Sequence, residues 1–217
     1  MILAAIFDMD GTLIDSEPFW AEAEQTVFGG LGVPITPELA ATTTGMTTAA
    51  VTRHWYEMSP WEGTSLAEAE QQVLDQVAHL IAQKGKPMPG VPGILQRMQK
   101  AGLKLALATN SPNFLIPIVL DRLSLRPFFE TWVGVDDVHH GKPAPDIYTT
   151  AAQRLGVAPQ HCLAIEDSAT GLQAALSAGM KTVAVVPPHL TPHRLFHKAD
   201  LSLRSLEHLR AEDWEGL

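Results

Sequence analysis

The chain has 217 residues, with 15 Lys and Arg against 24 Asp and Glu, a formal charge of −9 with histidine neutral. Hydrophobic residues make up 46% and charged ones 18%, a globular balance, and the length allows one large domain or a core carrying an inserted module. A net-negative chain is a poor non-specific partner for nucleic acid, a lone Cys162 excludes an intrachain disulfide or a Cys-rich zinc site, and no apolar run nears the roughly 18 residues of a membrane span.

Residues 2–7 form a continuous apolar run that stops at Asp8-Met9-Asp10-Gly11. That pattern predicts a strand buried on both faces and feeding a turn. The same start has no basic n-region, so it does not read as a signal peptide, and a cytoplasmic location is expected. From Glu17 to about Gln83 the pattern becomes helical. Trp20, Ala23, Val27 and Phe28 recur at helical spacing, as do the apolar residues from Leu66 to Ile81. Gly29-Gly30, Thr42–Gly45 and Pro60–Gly63 punctuate those helices. Acid is concentrated there too. Residues 15–83 carry ten carboxylates and one base, Arg53, a sum of −9 that leaves the rest balanced at 14 against 14. Two modules with different surfaces are expected.

After Lys86-Pro87-Met88-Pro89-Gly90 the strand–helix alternation returns. Helices are predicted near 91–101, 113–123, 146–155 and 169–178. Strands are predicted at 103–108, Trp132-Val133, 162–165 and 182–186, with a last edge strand at Leu201–Leu203. The reading is an α/β fold, a doubly wound parallel sheet formed by residues 1–14 and 86–217, with an α-helical module of residues 15–85 inserted after the first strand. No internal repeat or low-complexity tract interrupts it.

Catalysis in such a sheet belongs in the crevice beyond the carboxyl ends of the strands. The first strand delivers Asp8 and Asp10; the second delivers Thr109-Asn110-Ser111. Gly141-Lys142-Pro143 precedes the helix near 146, and the strand at 162–165 delivers Glu166-Asp167-Ser168. Oxygen ligands without His or Cys suit a hard cation such as Mg²⁺. Metal, lysine and hydroxyl can together hold the oxygens of a phosphoryl group. One carboxylate is then free to attack phosphorus, and another, two residues on, can pass a proton to the leaving oxygen. Singly, each segment has a plainer use. Asp-x-Asp serves turns, Ser111 before Pro112 and Ser168 before Ala169 serve helix caps, and a lysine is usually solvated.

Together, Phe7-Asp8-Met9-Asp10-Gly11-Thr12-Leu13, Thr109-Asn110-Ser111, Gly141-Lys142-Pro143 and Ile165-Glu166-Asp167-Ser168 resemble the four motifs of the haloacid dehalogenase superfamily. The insert position is similar to that of its subfamily I. Leu13–Pro18 and Lys142–Tyr148 are similar to the β-phosphoglucomutase-like branch, particularly its bacterial sugar- and hexitol-phosphate phosphatases. The resemblance implies Asp8 as nucleophile and Mg²⁺ ligand, and Asp10 as general acid/base binding the metal through its carbonyl. It implies Thr109 and Lys142 as phosphoryl ligands with Asn110 and Ser111 nearby, and Asp167, with Glu166 direct or adjacent, completing the metal site.

The expected activity is Mg²⁺-dependent hydrolysis of a small phosphorylated metabolite by a monomer, through an aspartyl phosphate. The alternatives are a β-phosphoglucomutase-type mutase and a phosphoglycolate phosphatase. The mutase has a histidine ten residues after the second Asp of the first motif, where this chain has Trp20. It also has an arginine three residues after a loop glycine, where this chain has Gly45-Met46-Thr47-Thr48. Its bisphosphate would need cations, and the insert offers Arg53 alone, with Lys84 and Lys86 at its exit. Dehalogenation would leave Asp10 superfluous, and a phosphate-binding receiver domain would be shorter and carry no insert. Trp20, Gly45, Met46 and Thr47 are the candidate substrate contacts of the insert, in a hydroxyl-rich loop (42–48) fit to close over a polar substrate. Trp55, Tyr56 and Trp61 fit a core at helical spacing. His139-His140 read as solvated, Cys162 as packing, and His189, His193 and His197 as no zinc site, since Pro187-Pro188 and Pro192 break that region.

Overall fold

The structure is a computed structural model that describes residues 1–40, 42, 43, 45–186 and 193–217. Strands β1 (Ala4–Phe7), β2 (Lys104–Ala108), β3 (Thr131–Val133), β4 (Cys162–Glu166), β5 (Lys181–Val185) and β6 (Leu201–Leu203) form one sheet in the order β3-β2-β1-β4-β5-β6. Every pairing in it is parallel. The order reverses between β1 and β4, and the ends of those two central strands therefore flank the crevice where such sheets bind ligands.

Alternation along the central strands builds two different faces. Phe7, Leu105, Leu107, Leu163 and Ile165 enter a core shared with α5 (Val91–Lys100), α6 (Leu115–Arg122) and the inserted helices. Ala4, Ile6, Ala106, Ala108 and Ala164 face the other way, against Ile147, Tyr148, Ala151 and Ala152 of α7 (Asp146–Leu155). The small side chains of that face allow α7 and α8 (Ala169–Ser177) to lie close to the sheet. A short C-terminal helix, α9 (Ala211–Glu215), was not foreseen; it buries Trp214 in the first core.

Between β1 and α5 the chain forms α1 (Glu17–Gly30), α2 (Pro37–Ala40), α3 (Thr48–Met58) and α4 (Leu66–Lys84). Ser65-Leu66-Ala67-Glu68 starts α4 with a reciprocal cap: Ser65 Oγ accepts from Glu68 N at 3.2 Å, and Glu68 Oε2 accepts from Ser65 N at 2.8 Å. Trp55 of α3 and Trp61, in the connection between α3 and α4, belong to the insert's core, with Trp61 against Phe28 and Tyr56. The two passages between insert and sheet run side by side: Asp15 N donates to Lys86 O at 3.1 Å, and Met88 N to Leu13 O at 3.0 Å.

The predicted strand 182–186 lies one residue earlier, at Lys181–Val185, and β4 extends through Glu166. His193 caps a short 3₁₀ turn that contains His197. His189, both prolines at 187–188, Pro192 and Thr44 of the 42–48 loop lie outside the described residues. Among the described residues, no helix is long and apolar enough to cross a membrane.

Candidate active site

β1 ends at Phe7 because the next residues must leave the sheet carrying charge. Asp8 N still donates to Ile165 O at 3.0 Å, which fixes the first carboxylate beside the end of β4. Glu166 is the last residue of β4 and Asp167 the first beyond it, so their side chains leave on different sides. Glu166 turns toward Lys142 and Asp167 toward the β1 loop, where Thr12 Oγ1 donates to Asp167 Oδ1 at 3.3 Å. Carboxylate oxygens of Asp8, Glu166 and Asp167 come within 4.8 Å of one another.

Lys142 joins them. Its Nζ donates to Asp8 Oδ1 at 2.5 Å, to Glu166 Oε1 at 2.6 Å and to Ala108 O at 2.9 Å, which uses all three ammonium protons. The lysine is 8% exposed and Glu166 is wholly buried. Glu166 is further held by Tyr148 Oη at 2.7 Å on Oε1, and by Ser168 N (3.2 Å) and Oγ (2.9 Å) on Oε2. Gly171 of α8 lies so close to this carboxylate that any Cβ there would overlap it.

Asp10 is gripped from both modules. Its Oδ1 accepts from Ser16 Oγ at 2.5 Å and from Trp20 Nε1 at 2.9 Å, and its Oδ2 from Ser111 Oγ at 2.7 Å. Thr109, 1% exposed at the end of β2, accepts from Ser111 N at 3.0 Å through its hydroxyl oxygen. Asn110 is committed to the main chain of Lys142: Oδ1 accepts from Lys142 N at 2.7 Å and Nδ2 donates to Lys142 O at 3.2 Å.

Asn110 Nδ2 also reaches Gly45 O of the insert, at 3.4 Å. Gly45 has φ +80° and lies against Thr170 of α8, where a Cβ would come 2.6 Å from Thr170 Oγ1. This approach seats Gly45 on the sheet module. Met46 is 45% exposed, and Thr47 caps α3 by accepting from Ala50 N at 3.3 Å. Of the four insert candidates, Trp20 meets Asp10 directly and Gly45 meets Asn110.

Burial pushes the Asp8 carboxyl up to about 8 despite the opposing charge of Lys142, with Glu166 and Asp10 adding to the rise. Burial, then the charges of Asp8 and Glu166, hold Asp167 well above the carboxylate range. Lys142 is pushed above its ordinary value: burial opposes its charge, but Asp8 and Glu166 prevail. Three carboxylates facing one ammonium is an unbalanced charge set. An all-oxygen, carboxylate-rich cluster of this kind fits Mg²⁺, which would remove the imbalance.

The two supporting residues that sequence reasoning did not single out are Ser16 and Tyr148. Ser16 lies within the quoted Leu13–Pro18 stretch, and its signal was its place at the start of α1. Tyr148 closes the quoted Lys142–Tyr148 stretch but was given no role, because a tyrosine on an amphipathic helix reads as core.

The family model of the haloacid dehalogenase-like hydrolases matches residues 2–179. Hexitol phosphatase B of Escherichia coli (strain K12) is 38% identical over 217 residues, covering 99% of this chain and 97% of that protein. A phosphorylated carbohydrates phosphatase of Thermotoga maritima is 34% identical over 180 residues, 83% of each chain. The crystal structure of CbbY from Rhodobacter sphaeroides in complex with phosphate is similar with a TM-score of 0.88 and 26% identity, covering 99% of this chain and 100% of that one.

Proposed function

The chain belongs to the haloacid dehalogenase-like hydrolases, and within that family we propose that it hydrolyses small sugar or sugar-alcohol phosphates in two steps through Asp8. The observation that carries the reading is Lys142 Nζ lying between Asp8 and Glu166, with Asp167 in the same cluster. The hexitol and carbohydrate phosphatases among the relatives, and the phosphate held by the CbbY structure, support the same chemistry.

Asp8 attacks phosphorus with the carboxylate oxygen that Lys142 leaves free, and the P–O bond to the sugar breaks. Asp10 donates its proton to the leaving alkoxide oxygen, then takes one from water as that water attacks the phosphorus of the Asp8 acyl phosphate. The products are the alcohol, inorganic phosphate and regenerated Asp8. Lys142, its three protons held by Asp8, Glu166 and Ala108, offers its charge to the phosphoryl oxygens, and the Thr109 hydroxyl offers a hydrogen bond. Ser111 lies beside them on Asp10, and Asn110 holds the lysine backbone in place. Asp8, Asp167 and the Asp10 carbonyl would hold Mg²⁺, with Glu166 beside them; the ion supplies positive charge against the phosphoryl oxygens when bound.

The segment of α1–α4, residues 15–85, acts as a cap. With Gly45 on Asn110 and Thr170, and Trp20 on Asp10, it shuts the cluster away from solvent, and the paired passages at 13–15 and 86–88 are the place about which it opens. The −9 charge of residues 15–83 disfavours a second phosphate and suits a substrate whose far end is neutral. Trp20 offers an indole donor, which cannot exchange a proton as a histidine would, and this favours water over a sugar hydroxyl as acceptor.

Incubation with hexitol, hexose and deoxyhexose phosphates and with phosphoglycolate, in Mg²⁺, tests the reading. Release of phosphate fastest from a hexitol or hexose phosphate is expected. Interconversion of β-glucose 1-phosphate and 6-phosphate faster than hydrolysis would overturn it.

A further inference from the structure

Tyr148 is a buried hydroxyl to which the reaction above gives no task. It is carried by α7 on the alanine-lined side of the sheet, and this close packing brings it beneath the ends of β1, β2 and β4. Its Oη donates to Glu166 Oε1 at 2.7 Å, and Lys142 Nζ lies 5.2 Å from its ring centroid, within reach of a cation–π attraction. Glu166 Oε1 therefore accepts from Tyr148 and Lys142 together, while Oε2 is occupied by Ser168. A carboxylate has about four acceptor sites, so Glu166 is saturated by protein donors.

The ammonium is shared between two carboxylates at nearly equal distances, 2.5 Å to Asp8 and 2.6 Å to Glu166. Such a balance is sensitive to what else each carboxylate holds, because hydrogen bonds to an ion weaken one another's share of its charge. Tyr148 acts on the Glu166 side alone.

We propose that Tyr148 is a positioning residue that keeps Lys142 directed at the phosphoryl group: its hydroxyl takes up part of the Glu166 charge, and its ring supports the ammonium. Without the hydroxyl, Glu166 draws Lys142 toward itself and away from Asp8. The inference rests on the phosphatase reading, since it concerns the lysine that would hold the phosphoryl oxygens.

Tyr148→Phe keeps the ring and the packing, whereas Tyr148→Ala removes both. Titration calorimetry with inorganic phosphate in Mg²⁺, alongside kcat, KM and melting temperature, separates positioning from folding. The expected result for Tyr148→Phe is a phosphate affinity and a kcat/KM each lowered about fivefold or more with melting within a few degrees of wild type, and a larger loss for Tyr148→Ala. A phosphate affinity for Tyr148→Phe within about twofold of wild type overturns the proposal whatever happens to kcat. A wild-type protein that binds phosphate but hydrolyses no monoester overturns the phosphatase reading alone; one that does neither overturns both.

Discussion

Trp20 Nε1 donates to Asp10 Oδ1 across 2.9 Å, tying helix α1 of the insert to the loop that leaves β1. Ser16, at the start of the same helix, grips the same oxygen, while Ser111 holds the other from the sheet side. The direction of the Asp10 carboxyl thus depends on where the insert sits. Movement of α1 away from the sheet would remove two of its three donors at once.

Trp20→Phe keeps an aromatic body and removes the indole donor. A hydrogen bond to a charged group contributes about 1.5–3 kcal/mol, so kcat should fall by roughly tenfold with little change in melting temperature. Steady-state kinetics on p-nitrophenyl phosphate and on a hexitol phosphate would measure it. An unchanged kcat would show that Ser16 and Ser111 suffice to aim Asp10.

Asp8→Asn should abolish turnover, since an amide oxygen does not form the acyl phosphate, with a loss of at least about a thousandfold. Asp10→Asn should slow turnover strongly while inorganic phosphate still binds. Phosphate release surviving Asp8→Asn would contradict covalent catalysis through this residue.

The crowding of Asp8, Glu166 and Asp167 around one lysine predicts a requirement for a divalent cation. Excess chelator should remove activity and added Mg²⁺ restore it. Asp167→Asn should raise the Mg²⁺ concentration needed for half-activity by about tenfold. Full activity in chelator would remove the metal from the scheme.

Glu24 of α1 is a pH-sensitive element of stability. Burial pushes its carboxyl up to about 7, against the hydrogen bond it accepts from Trp55 Nε1 at 3.3 Å, and Glu17 raises it further. The folded value lies above the unfolded one, near 4.5, so the stability contributed by the protonated form is complete below about 4.5 and is lost as pH rises through about 7. Glu24→Gln stays neutral and should melt a few degrees higher than wild type at pH 8, with the two alike at pH 4.5. A melting difference independent of pH would refute the assignment.

Much of the fold was legible in the chain because its signals are local. The alanines and aliphatics of residues 4–7 and 162–165 announce strands buried on both faces, and α7 occupies the predicted 146–155. The site carboxylates and Lys142 were legible because strand ends in such a sheet share one crevice. Asn110 reads as a phosphate neighbour in sequence, yet its amide holds the Lys142 main chain and reaches Gly45. Trp20 reads as a substrate contact, yet its indole N–H is taken by Asp10. Such partners lie 10 to 65 residues away, and no periodicity encodes a pairing over that span.

The amino-acid order alone determined the alternating architecture, the place of the insert and the set of charged groups at the strand ends. These follow from hydrophobic period and from turn and cap residues, which act over a few positions. Only the tertiary structure decided how those charges divide: Glu166 saturated by Tyr148, Ser168 and Lys142, and Asp10 held by Ser16, Trp20 and Ser111. Hydrogen-bond allocation in a buried cluster depends on sub-ångström distances among side chains from separate elements. Packing of α1 and α7 against the sheet sets those distances.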